Sequence, residues 1–183
     1  MYTGQQFVRA MHGVRTLRHA FGPSFLDVHI VSAGYGLIEE NRSIVPYEVT
    51  FDGLSPGAIA RRAAFLGIPA ALAGAVASYE LIIFLLGRNY MTAAGVTEPA
   101  SPRQRHLYLS GPAGMDRLPR GASAVPMDVE MMARLRAGAI AVKGAAFAAF
   151  ARGLARRGER GFDAMLEDAT DAAFLAIMQE GVR

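Results

Sequence analysis

The sequence predicts an α/β fold: a single domain with a small, largely parallel sheet flanked by helices, followed by a helical C-terminal part. Over residues 1–115, short branched apolar segments alternate with helical apolar spacing, an order typical of parallel sheets. Over 127–183 the spacing is almost wholly helical. A chain of 183 residues, 52% of them hydrophobic, can bury one sizeable core, so one domain covering 1–183 is expected.

The first helices and strands are indicated by the spacing of apolar residues and by residues typical of helix ends. Residues 5–20 have the apolar spacing of a helix, which ends before Gly22. Phe25–Val31 is short, apolar and rich in branched residues, as expected of a buried strand. Another short strand is predicted at Val49–Phe51, and the helix after it has Ser55 as its N-cap.

The middle of the chain continues this alternation. A helix of small residues is predicted at about 69–77, before "YELIIFLLG" at 79–87, which has the clearest pattern of a buried strand. A helix at about 88–94 and a third strand, "RHLYLSG" at 105–111, follow. Pro112–Pro126 is rich in Gly, Pro and Arg and is predicted to be a linker.

The C-terminal part is predicted to be two helical stretches. Residues 128–157 can begin at an Asp128 cap, and Gly158–Gly161 should interrupt the helix. A final amphipathic helix is predicted at about 162–180, with Gly181 after its end. The apolar faces of these helices, with Met115, Met127, Met131 and Met132 nearby, are expected to form core or a homodimer surface.

Composition narrows the classes of function. The absence of cysteine excludes disulfides, thiolate metal sites and a cysteine nucleophile. No apolar run reaches the roughly 20 residues that span a bilayer, so we expect a soluble cytoplasmic protein without membrane contact. The four histidines lack metal-ligand spacing, and GxGxxG and GxxxxGK[ST] motifs are missing, so no metal or other cofactor is expected.

The basic residues suggest a partner. The chain has 18 Arg but a single Lys, Lys143, with a net charge of +3. The planar fork of Arg suits phosphates and base edges, which favours DNA as a partner. A GC-rich genome, whose codons favour Arg and Ala together, would produce the same bias.

Three predicted strands end in polar or glycine-rich segments, at Ser32–Gly36, Gly87–Tyr90 and Ser110–Gly114. If these strands are parallel neighbours, their ends converge on one edge of the sheet, where ligands usually bind. Open backbone N–H groups, tyrosine rings and an arginine suit a planar base that carries a phosphate or sugar. The residues expected to bind such a substrate are Ser32, Gly34, Gly36, Pro46, Tyr47, Arg88, Tyr90 and Ser110. Alternatively, the glycines only make a tight turn and the tyrosines fill the end of the sheet.

Removing a base from its sugar requires a carboxylate that activates water or stabilises an oxocarbenium-like centre. Glu48 is the favoured candidate because the preceding Pro46-Tyr47 would fix its direction, whereas Glu39 and Glu40 are expected on a solvated loop. Asn89 would read a base edge or position water, and Tyr35, the third candidate catalytic residue, would stack on or position the base.

A cluster of basic residues, "RGLARRGERG", covers residues 152–161. It places Arg152, Arg156, Arg157 and Arg160 where two helices meet, and four cations within a turn or two could follow a phosphate backbone. Solvation of an exposed helix end explains the cluster equally well.

The segment "SAGYGLIEENRSIVPYEVTF" at 32–51 resembles a motif of the YaaA peroxide-stress family and of related bacterial domains. The matching positions are Ser32, Tyr35, Gly36, Leu37, Ile44, Pro46 and Tyr47. Asn89 and Tyr90 in "FLLGRNYMTAAGV" also fit, and the resemblance covers about residues 2–95. It implies DNA binding and protection against oxidative damage. The relatives begin with a strand and a polar loop before the first helix, whereas this sequence enters the helix segment at Tyr2. Either the first strand is supplied differently or the start is shortened, and a site that needs that loop would then be incomplete.

Three functional hypotheses follow from these patterns. The first is a DNA-associated, nucleobase-processing enzyme resembling a DNA glycosylase, acting in stress or phage defence. The second is a non-catalytic DNA-binding stress protein that uses its Arg clusters alone. The third is an enzyme that acts on a free nucleoside or nucleotide in the same pocket.

Overall fold

A computed structural model describes residues 4–95, 98–111 and 118–182, and within them the chain forms one α/β domain with eight helices and two small sheets. The helices are α1 (Gln5–Phe21), α2 (Pro56–Phe65), α3 (Ile68–Val76), α4 (Arg88–Ala94), α5 (Val129–Leu135), α6 (Val142–Arg157), α7 (Glu159–Glu167) and α8 (Asp171–Val182). The strands are β1 (His29–Ser32), β2 (Gly36–Glu39), β3 (Leu81–Phe84), β4 (Arg105–Ser110) and β5 (Ser123–Pro126).

The larger sheet is parallel and has the order β3-β4-β5. Its central strand, β4, is buried along nearly its whole length, as expected of a parallel strand with both faces covered. The carboxyl ends of all three strands lie at one edge of the sheet. The predicted parallel sheet is therefore confirmed for the strands at 79–87 and 105–111.

The smaller sheet is an antiparallel hairpin of β1 and β2, in which Ser32 pairs with Gly36. The strand predicted at Phe25–Val31 starts later, at His29, and the chain reverses within the three residues after Ser32. The expectation that Ser32–Gly36 ends a strand of the parallel sheet is therefore wrong. The strand predicted at Val49–Phe51 is also wrong, since this segment is irregular although Phe51 is fully buried.

The largest hydrophobic core joins α1 and the sheet to the C-terminal helices. Gly13 and Gly144 allow α1 and α6 to approach closely: a Cβ at Gly144 would lie 2.2 Å from the Gln6 carbonyl oxygen. Met127 and Met131 belong to this core, whereas Met115 lies outside the described residues. The N-terminal helix is thus part of the same folded unit as the helical C-terminal part.

Most helix end signals are confirmed by their contacts. The Ser55 hydroxyl accepts a hydrogen bond from the Ala58 N–H at 3.3 Å, and the Asp128 carboxylate accepts one from the Met131 N–H at 2.9 Å. The final helix is divided, however, because the chain leaves the helical path after Glu167 and starts α8 at Asp171.

Two further predictions about the C-terminal half are corrected. Gly181 lies inside α8 and not after its end, because it packs against the α6 backbone there. The linker predicted at Pro112–Pro126 is partly wrong: its last four residues form β5, whose Val125 is fully buried, while 112–117 lie outside the described residues.

Within the described part of the chain, no single helix is both long and apolar enough to cross a membrane. The pair α2 and α3 passes that test of length and hydropathy when taken together, but the two helices are bent by 69° at their junction.

Candidate functional site

The segment that carries the YaaA-like motif forms a compact hydrogen-bonded unit at the tip of the β1–β2 hairpin. The Ser32 hydroxyl, which is buried, lies 2.5 Å from the Tyr47 hydroxyl and accepts a bond from the Tyr35 N–H at 3.1 Å. The rings of Tyr35 and Tyr47 meet edge to face with centroids 5.1 Å apart. Both tyrosine hydroxyls are thus hydrogen-bonded within the segment: Tyr47 bonds to Ser32, and Tyr35 donates to the Val45 carbonyl oxygen at 3.1 Å.

The two glycines of the motif have separate structural roles. A Cβ at Gly34 would lie 2.8 Å from the Tyr47 ring, so glycine is needed for the ring to lie against the backbone. Gly36 has φ 79°, a left-handed conformation that side chains other than glycine rarely adopt. This geometry favours the alternative reading of the motif, in which the glycines form a tight turn that the tyrosines cover.

Replacing Tyr47 by phenylalanine tests this structural role. The change removes the hydroxyl bonded to buried Ser32 and keeps the ring, so we expect the free energy of unfolding to fall by about 1 kcal/mol. Tyr35→Phe is the matched control, because its hydroxyl bonds to Val45 at an exposed site, and it should cost less than about 0.5 kcal/mol. Urea unfolding measures both, and a costlier Tyr35→Phe would contradict this account.

The other predicted residues of the motif region lie on the protein surface or contact the loop after the hairpin. The side chains of Pro46 and Glu48 are exposed. Asn89 donates a hydrogen bond from Nδ2 to Asp52 at 2.9 Å, and the Tyr90 ring packs edge to face on Phe51 at 5.2 Å. Asn89 and Tyr90 thus join α4 to the loop after the hairpin.

The basic segment at 152–161 is bonded largely to the last helix. Arg152 donates from Nε to the Gly181 carbonyl oxygen at 2.8 Å, and Arg156 donates to the Glu180 carbonyl oxygen. Arg157 forms a two-point ion pair with the Glu180 carboxylate, which raises the pKa of Arg157. Arg160 is exposed in the first turn of α7. Contact of the first three arginines with a phosphate backbone would compete with these bonds.

A cavity of about 420 Å³ opens at the carboxyl edge of the parallel sheet. It brings together two predicted residues, Arg88 and Ser110, with residues that follow β5 and residues at the start of α6. Its lining consists of Arg88, Ser110, Gly111, Met127, Asp128, Val129, Met132, Ala139, Val142 and Lys143. This is the position at which α/β sheets usually bind ligands.

Lys143 is the most unusual group in this cavity. It lies in the first turn of α6, and its Nζ donates a hydrogen bond to the Leu86 carbonyl oxygen, just beyond the end of β3. Burial lowers the pKa of the Lys143 ammonium to about 8, because the charged form loses contact with water. A substantial fraction of Lys143 is therefore a neutral amine near pH 8.

The cavity also holds a cation, a carboxylate and a hydroxyl. Arg88 is exposed at the start of α4, Asp128 is half-buried as the N-cap of α5, and Ser110 is buried at the end of β4. Among the described residues, no group of three or more His, Asp or Glu side chains could hold a metal ion. The arrangement can bind an anion through Arg88 and Lys143 and move protons through Asp128 and a neutral Lys143.

Sequence reasoning missed Lys143 and Asp128 as functional candidates. Lys143 is the single lysine among 19 basic residues, a signal of special use that was present in the composition. The sequence indicates Asp128 only as a helix cap, and its position in the cavity depends on β5, which the sequence does not predict.

Comparisons of the chain with protein-family models, with curated proteins and with solved structures find no match. The resemblance of residues 2–95 to the YaaA family therefore stays a prediction.

Proposed function

We propose that this protein is an enzyme that binds a nucleotide in the cavity at the carboxyl edge of the β3-β4-β5 sheet and acts on its glycosidic bond. The observation that supports this most is the placement of Arg88, Lys143 and Asp128 around one cavity of about 420 Å³. A free nucleotide is favoured over DNA because Arg152, Arg156 and Arg157 are bonded to the last helix.

Each charged residue of the cavity has a role in this proposal. Arg88 binds the phosphate, and its exposed position suits the end of the ligand that faces solvent, whereas Lys143 donates hydrogen bonds to the sugar. Met127 and Met132 offer an adaptable apolar surface for the base. Asp128 replaces Glu48 as the carboxylate that activates water or stabilises the sugar cation, because Asp128 lines the cavity.

The test is release of free base, measured by chromatography and mass spectrometry. Free ribo- and deoxynucleoside monophosphates and DNA carrying ordinary, oxidised or phage-type modified bases are each incubated with the protein. We expect release from a monophosphate, lowered at least about 100-fold by Asp128→Asn. This variant removes the charge and keeps a side chain that caps helices equally well.

Glu48→Gln is the matched control, since it changes an exposed carboxylate to an amide, and it should leave the rate unchanged. If Glu48→Gln abolishes release and Asp128→Asn does not, the cavity is the wrong site. If no substrate of either kind loses its base, the proposal fails.

A second candidate is the same reaction on a base flipped out of DNA. Its support is the net charge of +3 together with the exposed positions of Arg88 and Arg160. Release from modified DNA, with none from free nucleotides, would favour this candidate.

A further inference from the structure

The cavity contains the only lysine of the chain, held at a defined point of the site. The Lys143 Nζ bonds to the Leu86 carbonyl oxygen, which fixes the amine beyond the end of β3. Lys143 shares the cavity with the hydroxyl of Ser110 and the carboxylate of Asp128. An amine that shares a cavity with groups able to accept and donate protons suits carbonyl chemistry.

The surroundings also favour the neutral, nucleophilic form of this amine. Val142, Met127 and Met132 are apolar residues that line the same cavity, and the charged groups that share it are Arg88 and Asp128. Burial lowers the pKa of Lys143 to about 8, so far more of it is unprotonated at neutral pH than of an ordinary lysine. Lysines desolvated in this way act as nucleophiles toward carbonyl carbon.

We propose that Lys143 forms an imine with the open-chain aldehyde of a pentose 5-phosphate bound in this cavity. The inference rests on the proposed function, because a pentose phosphate is what remains of a nucleotide after its base is removed. Arg88 and Lys143 line the same cavity, so Arg88 binds the phosphate while Lys143 reaches the carbonyl carbon.

The step is a condensation without any change of oxidation state. The neutral Lys143 nitrogen attacks the aldehyde carbon, a C–N bond forms, and the carbonyl electron pair moves to oxygen. The nitrogen gives up a proton and the oxygen gains one, which Asp128 can relay. The remaining nitrogen proton and the hydroxyl then leave together as water, the nitrogen electron pair forms the C=N bond of the imine, and addition of water reverses the sequence.

Reductive trapping tests this inference directly. The whole protein is incubated with 2-deoxyribose 5-phosphate and sodium cyanoborohydride, and the adduct is mapped by tryptic digestion. Trypsin cuts after unmodified Lys143, whereas a trapped Lys143 yields an uncut peptide from Ala137 to Arg152. We expect at least a tenfold excess of this adduct over that on the α-amino group, and a tenfold preference over 2-deoxyribose that Arg88→Gln removes.

A relocated lysine provides the matched control. The double variant Lys143→Arg/Arg61→Lys moves the only lysine to the exposed face of α2 and keeps the total charge. Circular dichroism confirms folding, and trapping at residue 61 should fall to the level of the α-amino group. Equal trapping at residue 61 would show ordinary lysine reactivity and overturn the inference.

The outcomes separate this inference from the proposed function. Base release without an adduct on Lys143 overturns the inference and leaves the proposed function in place. Phosphate-dependent trapping on Lys143 without base release supports an imine-forming site for sugar phosphates and removes the glycosidic reaction. If the amount of trapped Lys143 is the same with 2-deoxyribose as with 2-deoxyribose 5-phosphate, and the same in Arg88→Gln as in the unchanged protein, the assignment of a sugar phosphate as the ligand is overturned.

Discussion

Changing Gly153 to alanine is expected to lower the free energy of unfolding by about 3 kcal/mol, a large part of the stability of a typical domain. Gly153 lies in α6, and a Cβ there would be 1.9 Å from the Ile177 carbonyl oxygen and 2.8 Å from its carbon, in α8. These atoms belong to the backbone, so they cannot turn aside as a side chain would. The two helices must separate, and the stacked Phe150 and Phe174 rings between them, 4.4 Å apart, lose contact.

Gly74→Ala is the matched control for this prediction. Gly74 also lies within a helix, α3, but it is exposed and a Cβ there would meet nothing within 4 Å. Alanine should therefore stabilise the protein by up to about 1 kcal/mol through its higher helix propensity. Urea unfolding measures both variants, and similar free energies of unfolding for the two would contradict the close packing of α6 on α8.

Replacing Lys143 by methionine is expected to raise the free energy of unfolding at pH 7 by about 1 to 2 kcal/mol. The pKa of Lys143 is lowered from 10.5 to about 8 by burial, so at pH 7 the folded protein retains an ammonium that its surroundings disfavour. The gain in the free energy of unfolding is smaller than the pKa shift alone would give, because water reaches part of the side chain. Loss of the hydrogen bond to Leu86 offsets a further part of the gain.

The pH dependence of this gain has a definite sign. Between about pH 8 and 10.5 the unfolded chain keeps the lysine proton and the folded chain releases it, so this group adds stability as the pH rises. The advantage of Lys143→Met should accordingly shrink from pH 7 to pH 9.5. Urea unfolding at both pH values measures it, with Arg61→Met on the exposed face of α2 as the control. An advantage that stays constant or grows would contradict a lowered pKa.

The sequence predicts local structure well where the signals lie within one segment. The N-caps Ser55 and Asp128 and the strand at 79–87 have their own side chains and apolar spacing as evidence, and the structure confirms them. The pairing of β1 could not be predicted in this way, because a strand of only four residues fits a parallel or an antiparallel neighbour equally well.

The sequence predicts only those residues of the candidate site whose position follows from the strand next to them. Arg88 and Ser110 are predicted from the sequence because Arg88 comes soon after β3 and Ser110 ends β4, and the carboxyl ends of parallel strands lie at one edge of the sheet. Lys143 reaches the same cavity from α6, which lies more than 30 residues further along the chain, and only the packing of α6 beside the sheet edge brings it there. Glu48 was favoured from its neighbours Pro46 and Tyr47, but Tyr47 turns inward to Ser32 and Glu48 is exposed.

The proposed function requires the cavity to be a site for a phosphorylated nucleotide. Isothermal titration calorimetry of the protein with deoxynucleoside monophosphates and with the parent deoxynucleosides tests this directly. We predict that at least one monophosphate binds tenfold or more tightly than its nucleoside, and that Arg88→Gln removes the difference while Glu48→Gln does not. Equal affinities for monophosphate and nucleoside, or a preference for the monophosphate that Arg88→Gln leaves unchanged, would contradict the assignment of the cavity.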